Sequence, residues 1–164
     1  MRRYHRAQEA GYTLIEIVIV VILVGILSAL ALPRFVSPKA SLAARRLAAD
    51  IQYAKELAIR LQTKSGVFFM DSSTYRVFQD DDVSTAAFDP VTGGDFEVSI
   101  SGLFSDATLD SSFGNTLKFD ALGTPLDGSD AKLTSPPVNE ITITSGGETW
   151  TITVEPNTGK VTLP

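Results

Sequence analysis

One acid near the start of the chain stands where acids are costly. Residues 12–32 run from Tyr12 to Leu32, and only Thr13, Glu16 and Ser28 among these 21 are clearly polar. As a helix the stretch rises about 31 Å, close to the roughly 30 Å of a bilayer's hydrocarbon core. A carboxylate near the centre of such a span costs about 2.5–3.5 kcal/mol, and it persists where it is paired or used. The chemistry available to Glu16 is therefore electrostatic: a fixed negative charge that needs a cation. Upstream lies a short basic segment, Met1 to Gly11, with Arg2, Arg3 and Arg6 against Glu9.

Other carboxylates invite a metal reading. Asp80-Asp81-Asp82, with Asp89 and Asp95 downstream, supply the hard oxygens that calcium takes. No EF-hand spacing is present, and three successive side chains of an extended segment point to alternate sides. A solvated acidic loop is the expectation, with Asp80, Asp81 and Asp82 as weak calcium candidates. Asp120, Asp127 and Asp130 around Gly128 are weighed the same way. Nothing supplies the carboxylate spacing of a glycosidase cleft, and there is no P-loop or dinucleotide fingerprint.

The chain has no cysteine, and its single histidine is His5. Beyond residue 11 a Ser-His-Asp triad, a His-ligated metal, a zinc–thiolate centre and a Cys nucleophile are all excluded. The expectation is a non-enzyme without a cofactor. The formal net charge is −5; without the three arginines and one glutamate of residues 1–11, 11 basic and 18 acidic residues remain, a net −7. That balance argues against direct nucleic-acid binding. The basic leader favours a cytoplasmic N-terminus with the C-terminal part outside.

The elements that position these residues follow from periodicity. Ala40, Ala44, Leu47, Ile51, Ala54, Ala58 and Leu61 recur at spacings of three and four, one apolar stripe of an amphipathic helix. The opposite face carries Arg45, Arg46, Asp50, Lys55, Glu56, Arg60 and Lys64, with Glu56 and Arg60 as an i,i+4 pair and Gly66 as the stop. Pro33 and Pro38 each remove a helical hydrogen bond, so a kink is expected between Leu32 and Ala40. From Val67 the period shifts to strands: a hairpin of Val67–Met70 and Tyr75–Gln79, then Phe96–Ile100 and Thr116–Phe119. A second hairpin, Glu140–Thr144 with Thr149–Val154, turns at Gly146-Gly147, and Lys160–Leu163 closes the chain. Residues 101–115 read as irregular, with Leu103, Phe104, Leu109 and Phe113 dipping into the core. Residues 120–137 read as turns. The fold class is α+β: a long N-terminal helix packed on a C-terminal antiparallel β-sheet domain.

Three ordinary readings of the N-terminus compete. A secretory signal peptide would be cut near Ala29-Leu30-Ala31, but its apolar run is long and Glu16 is left unexplained. An uncleaved anchor leaves the same acid unexplained, and a twin-arginine signal would rest on Arg2-Arg3 alone.

Gly11-Tyr12-Thr13-Leu14-Ile15-Glu16 resembles the processing site of the type IV prepilin family, which includes the pseudopilins of type II secretion. The resemblance implies cleavage after Gly11 by a prepilin peptidase and N-methylation of Tyr12, where the family usually has Phe. It further implies pairing of Glu16 with the amine of a neighbouring subunit, and a helix-kinking proline at Pro33. It implies four segments: a leader over 1–11, a transmembrane and assembly helix over 12–33, an amphipathic helix over 34–65 and a β-rich periplasmic or extracellular domain over 66–164. The second half is similar to H-type minor pseudopilins and to minor pilins of mannose-sensitive haemagglutinin systems. The similarity rests on Leu47–Arg60 leading into Val67-Phe68-Phe69, on Phe119–Pro125, and on the closing strands Trp150 to Val161. The implied partners are homologous subunits, the peptidase and an inner-membrane assembly platform; the implied location is a single inner-membrane pass and then a filament. The alternative function is a membrane-tethered or tip-located module that recognises an exported substrate or surface ligand.

Overall fold

Helix α1, Leu14–Ala31, opens the part of the chain that the computed structural model describes, namely residues 12–31, 39–134 and 139–164. The kink expected at Pro33 and the leader ending at Gly11 lie outside these residues. The chain divides into two units, Met1–Val36 and Ser37–Pro164. In the first, every described side chain from Tyr12 to Ser28 is exposed. A helix that is apolar all round is one that other apolar matter must cover. At 18 residues α1 rises about 27 Å, and among the described residues no helix is long and apolar enough to cross a membrane.

The second unit is built around α2, Lys39–Leu61. Its buried stripe is rich in alanine (Ala40, Ala43, Ala44, Ala54 and Ala58), which lets the helix lie close to the strands, while Leu47 and Ile51 fill the gaps. Each of those two fully buried side chains contributes about 1.5–3 kcal/mol. Leu61, expected in the stripe, is exposed.

The strands form two antiparallel sheets rather than one. The first has the order β3-β2-β1-β5-β6: Glu97–Ser99, Thr74–Phe78, Ser65–Phe69, Thr116–Phe119 and Pro125–Asp127. The second has the order β4-β7-β8-β9: Thr108–Ser111, Glu140–Ser145, Glu148–Val154 and Val161–Thr162. Helix α2 packs on β1, β2 and β5 of one sheet and on β7, β8 and β9 of the other. One core results, in which Val67, Tyr75, Val77, Leu117 and Phe119 meet Ile141, Ile143, Ile152 and Val154. Both expected hairpins are present: Val67 pairs with Val77, and Ile143 with Trp150. Gly146 and Gly147 have φ of 60° and 81°, the paired left-handed residues of a type I′ turn.

The region read as irregular contains α3, Ile100–Leu103, capped by Ser99, whose Oγ accepts from Gly102 N–H at 3.2 Å, and then β4. Leu109 is buried and Phe104 and Phe113 pack against the core, but Leu103 faces water. The turn-rich stretch contains β6.

Helix α2 stops before the expected glycine. Gln62 takes φ of 55° just past Leu61, and its side-chain amide donates to Ile59 O at 2.7 Å. Gly66 instead sits in β1 opposite Lys118, where a Cβ would collide with the Leu117 carbonyl oxygen. Gly66→Ala is expected to cost about 1–3 kcal/mol, because the β1–β5 pair must shift to admit the methyl group. Urea unfolding followed through Trp150, the only tryptophan, checks this; an unchanged midpoint would contradict it.

Candidate assembly site

Two described residues of the expected processing motif, Tyr12 and Glu16, lie at the N-terminus of α1. Thr13 carries the local structure: its Oγ1 accepts from Glu16 N–H at 3.3 Å, and its carbonyl accepts from Glu16 and Ile17 N–H at 3.0 and 3.2 Å. Thr13 is thus the N-cap and Glu16 the third helical residue, the spacing of a capping box. That signal, Thr-x-x-Glu, is present in the sequence, but only the Thr13 half of the box is made; what remains for the Glu16 side chain is its negative charge in the first turn of the helix.

Magnitudes decide whether that role suffices. An acid in the first turn gains about 0.3–1 kcal/mol from the helix dipole, set against a lipid cost that reaches about 2.5–3.5 kcal/mol at the centre of a span and is smaller for Glu16, near its end. The Glu16 carboxylate has no hydrogen-bond or ion-pair partner among the described residues. Tyr12, 80% exposed, precedes the cap. An amine at Tyr12 would sit against the positive end of the helix and would itself need an anion. Each group therefore has the property the other lacks.

The acidic run does not converge on an ion site. Asp80 accepts from Thr63 Oγ1 at 3.0 Å, Asp81 pairs with Lys118 at 2.9 Å and Lys64 at 3.4 Å, and Asp82 accepts from Ser84 N–H at 2.9 Å and Thr85 Oγ1 at 2.8 Å. Asp130 bridges the same two lysines, at 2.7 Å to Lys64 and 3.1 Å to Lys118. The two lysines hold its carboxyl below the ordinary range. Asp120 and Asp127 accept backbone N–H groups of their own turns. Among the described residues no group of three or more His, Cys, Asp or Glu is placed to hold a metal.

Asp50 is a correction. Expected on the solvent face of α2, it is only 6% exposed. Its Oδ2 accepts from Arg46 Nε at 2.9 Å and Tyr75 Oη at 2.5 Å, joining α2 to β2. Burial pushes the Asp50 carboxyl up, against the opposing pull of Tyr75 and Arg46; burial beside that carboxylate raises the Tyr75 hydroxyl strongly. The i,i+4 ion pair seen on α2 is thus Arg46–Asp50.

Comparison with known proteins completes the picture. A family model described as type II transport protein GspH matches residues 43–159, and one described as the prokaryotic N-terminal methylation motif matches residues 6–32. Two crystal forms of the type IV minor pilin FimU from Pseudomonas aeruginosa share the fold. Each has 16% identity and a TM-score of 0.50 over 76% of this chain, covering 91% of the solved chain in one form and 87% in the other. No curated protein matches the chain. With the first model spanning most of the chain, from α2 to the turn before β9, and the second spanning Gly11, Tyr12 and Glu16, the chain belongs to the type II transport protein GspH family and is a pilin-like pseudopilin subunit with the type IV pilin fold.

Proposed function

We propose that the chain is held in the bacterial inner membrane by residues 12–33, is cut after Gly11 by a prepilin peptidase, is N-methylated at Tyr12, and is then drawn by an inner-membrane platform into a filament of homologous subunits. The observation that carries this reading is the unpartnered Glu16 carboxylate in the first turn of a helix whose described side chains are all exposed. In lipid that charge is costly. In a filament it meets the Tyr12 amine of the adjacent subunit, while helix–helix packing replaces lipid around α1. The pair also sets register, since a displaced neighbour would leave both charges unmatched. Pro33 would let the helix bend between its assembling half and the half that carries the sheets. No catalytic role is assigned to any residue.

Filament fractions test the reading. When filaments of the host are sheared or gently extracted and separated by size, the chain is expected to sediment with the other pilin-like subunits. Recovery solely as a membrane-bound monomer would overturn it.

A further inference from the structure

An open sheet ends in two strands that each keep a row of unused backbone groups, and such a row pairs with any extended chain it meets unless the fold covers it. Three of the four edges here are covered or cut short. Residues 131–133 return along β6, with Asp127 N–H donating to Ala131 O at 2.8 Å and Leu133 N–H to Pro125 O at 3.3 Å. Strand β3 turns into α3 at Ser99, and β9 is two residues long. Strand β4 is the fourth. Leu109 N–H points away from β7 and donates to Ser72 O at 2.6 Å, whereas Ser112 N–H points to β7 and donates to Glu140 O at 3.0 Å. Backbone groups alternate in direction along an antiparallel strand, so Leu109 and Ser111 present theirs to the free side. Among the described residues Leu109 O, Ser111 N–H and Ser111 O have no hydrogen-bond partner.

Ser72, Leu109 and Ser111 line a recess of about 380 Å³ on that side, together with Phe69 and Met70 at the end of β1. Met70 is 43% exposed there. Asp71 and Asp110 line it too, and no lysine or arginine does. Neither carboxylate belongs to an ion pair among the described residues. Hydrogen bonds from Ser73 hold the Asp71 carboxyl below its ordinary range, so it is charged at neutral pH. The recess therefore offers a donor and acceptors for an extended backbone, an apolar wall for one side chain and two negative charges for a basic one. In strand addition the main-chain bonds supply affinity and such side-chain contacts supply selectivity.

We propose that an extended segment of a different pilin-like subunit, carrying a lysine or arginine, adds to the free edge of β4 as a fifth strand of the second sheet. The position of the recess favours a neighbouring subunit. Strand β1 runs back from the C-terminal end of α2, so its far end, at Phe69, lies toward the end of the unit where α2 begins. Lys39 Nζ, donating to Ser105 Oγ at 2.7 Å, fixes the approach to β4 at that end, and only residues 32–38 separate Lys39 from α1, the assembling helix. A second copy of this chain is a poor occupant. Its described basic residues outside ion pairs are Lys39, Arg45, Lys55 and Arg60, all on α2, and Lys132 and Lys160. A helix cannot add as a strand, Lys132 is bridged to β6, and Lys160 is bonded to Glu155 and Thr158. The inference rests on the filament reading and adds to it a contact outside α1.

The test places a photoreactive benzoylphenylalanine at Met70 of the full-length chain, irradiates the native membranes and filaments of the host, and sequences the cross-linked peptide by mass spectrometry. An adduct to a segment of another pilin-like subunit, with a lysine or arginine close to the attachment point, is expected. Ser111→Pro removes the outward N–H without touching the β7 ladder, as an edge strand tolerates, and is expected to cut the adduct about tenfold. Ser111→Ala loses the same hydroxyl, keeps the N–H and is expected to leave the adduct intact. An adduct to a second copy, an adduct solely to an exported protein, no adduct, or equal yields from the proline and alanine variants each overturns the proposal. Where urea unfolding read through Trp150 shows that Ser111→Pro destabilises the chain, Asp110→Lys on the exposed face of β4 decides instead: a loss supports the proposal and full yield overturns it. The filament fraction of the same cells is assayed in parallel. A chain present there without the adduct sinks this contact and leaves the filament reading standing; an adduct with no chain in that fraction supports the contact and sinks the filament reading.

Discussion

Full-length chain carrying Glu16→Ala or Glu16→Leu is expected to insert in the membrane at least as readily as the parent and to lose incorporation into filaments. The two outcomes follow from one charge. Removing a carboxylate from an apolar helix relieves a cost in lipid that reaches about 2.5–3.5 kcal/mol at the centre of a span and is smaller near its end, where Glu16 lies, so insertion is not impaired. The cap survives, because Thr13 Oγ1 accepts from the backbone N–H of residue 16, not from its side chain. What disappears, on the proposed pairing, is the anion for a neighbour's Tyr12 amine. Stripping one partner from a buried charge pair costs about 3–5 kcal/mol, since the other charge is left uncompensated, equivalent to a loss of over a hundredfold in assembly. Glu16→Asp keeps the charge but shortens its reach and is expected to retain part of the incorporation. Quantifying tagged chain in the filament and membrane fractions checks this, and normal incorporation of Glu16→Leu would defeat the pairing mechanism.

The second large effect concerns Asp50, whose carboxylate ties α2 to β2 through Arg46 and Tyr75. Tyr75→Phe removes a donor from a buried acceptor and is expected to cost about 1–3 kcal/mol. Arg46→Met removes the counter-ion; with the Arg46 side chain 36% exposed, solvent screens part of the pair, and a cost near the lower end of the 3–5 kcal/mol range, about 3, is expected. Combined, the two cost less than their sum, because both act on the same carboxylate. The pH dependence has a definite sign. Burial raises the Asp50 carboxyl above its ordinary value of 3.8, so between that value and the raised one the folded chain binds more protons than the unfolded chain. The Asp50 contribution to stability is therefore present at low pH and is lost as pH rises through that window. Asp50→Asn removes this slope, so its stability relative to the parent is expected to improve with rising pH. Urea unfolding of the detergent-solubilised chain at several pH values, read through Trp150, decides the matter; a parallel pH dependence for parent and variant would contradict it.

Much of the fold was legible because its signals are local. Gly146-Gly147 between two alternating Thr/Ile runs permits only a tight hairpin, and the i,i+3,i+4 alanines of α2 describe a helix with one face against a sheet. What escaped the sequence depends on distant partners. The separation into two sheets arises because β1 pairs with β5, some 50 residues on, while β4 pairs with β7; no strand carries its sheet membership in its own residues. Strands β4 and β6 and helix α3 are three or four residues long, too short for any period to show. Asp50 looked like a solvated acid because Tyr75, which makes its burial tolerable, is 25 residues away in sequence. The proposed assembly residues are the opposite case. Gly11, Tyr12 and Glu16 fall within six residues, so the spacing on which their proposed roles rest is visible directly, and Thr13 also caps the helix there.

Intact-mass and N-terminal fragment analysis of the chain purified from its host membrane tests the central claim most directly. A start at Tyr12 bearing one added N-terminal methyl group is the result expected from cleavage after Gly11. A chain that begins at Met1, or one cut within or after Ala29-Leu30-Ala31, would contradict it.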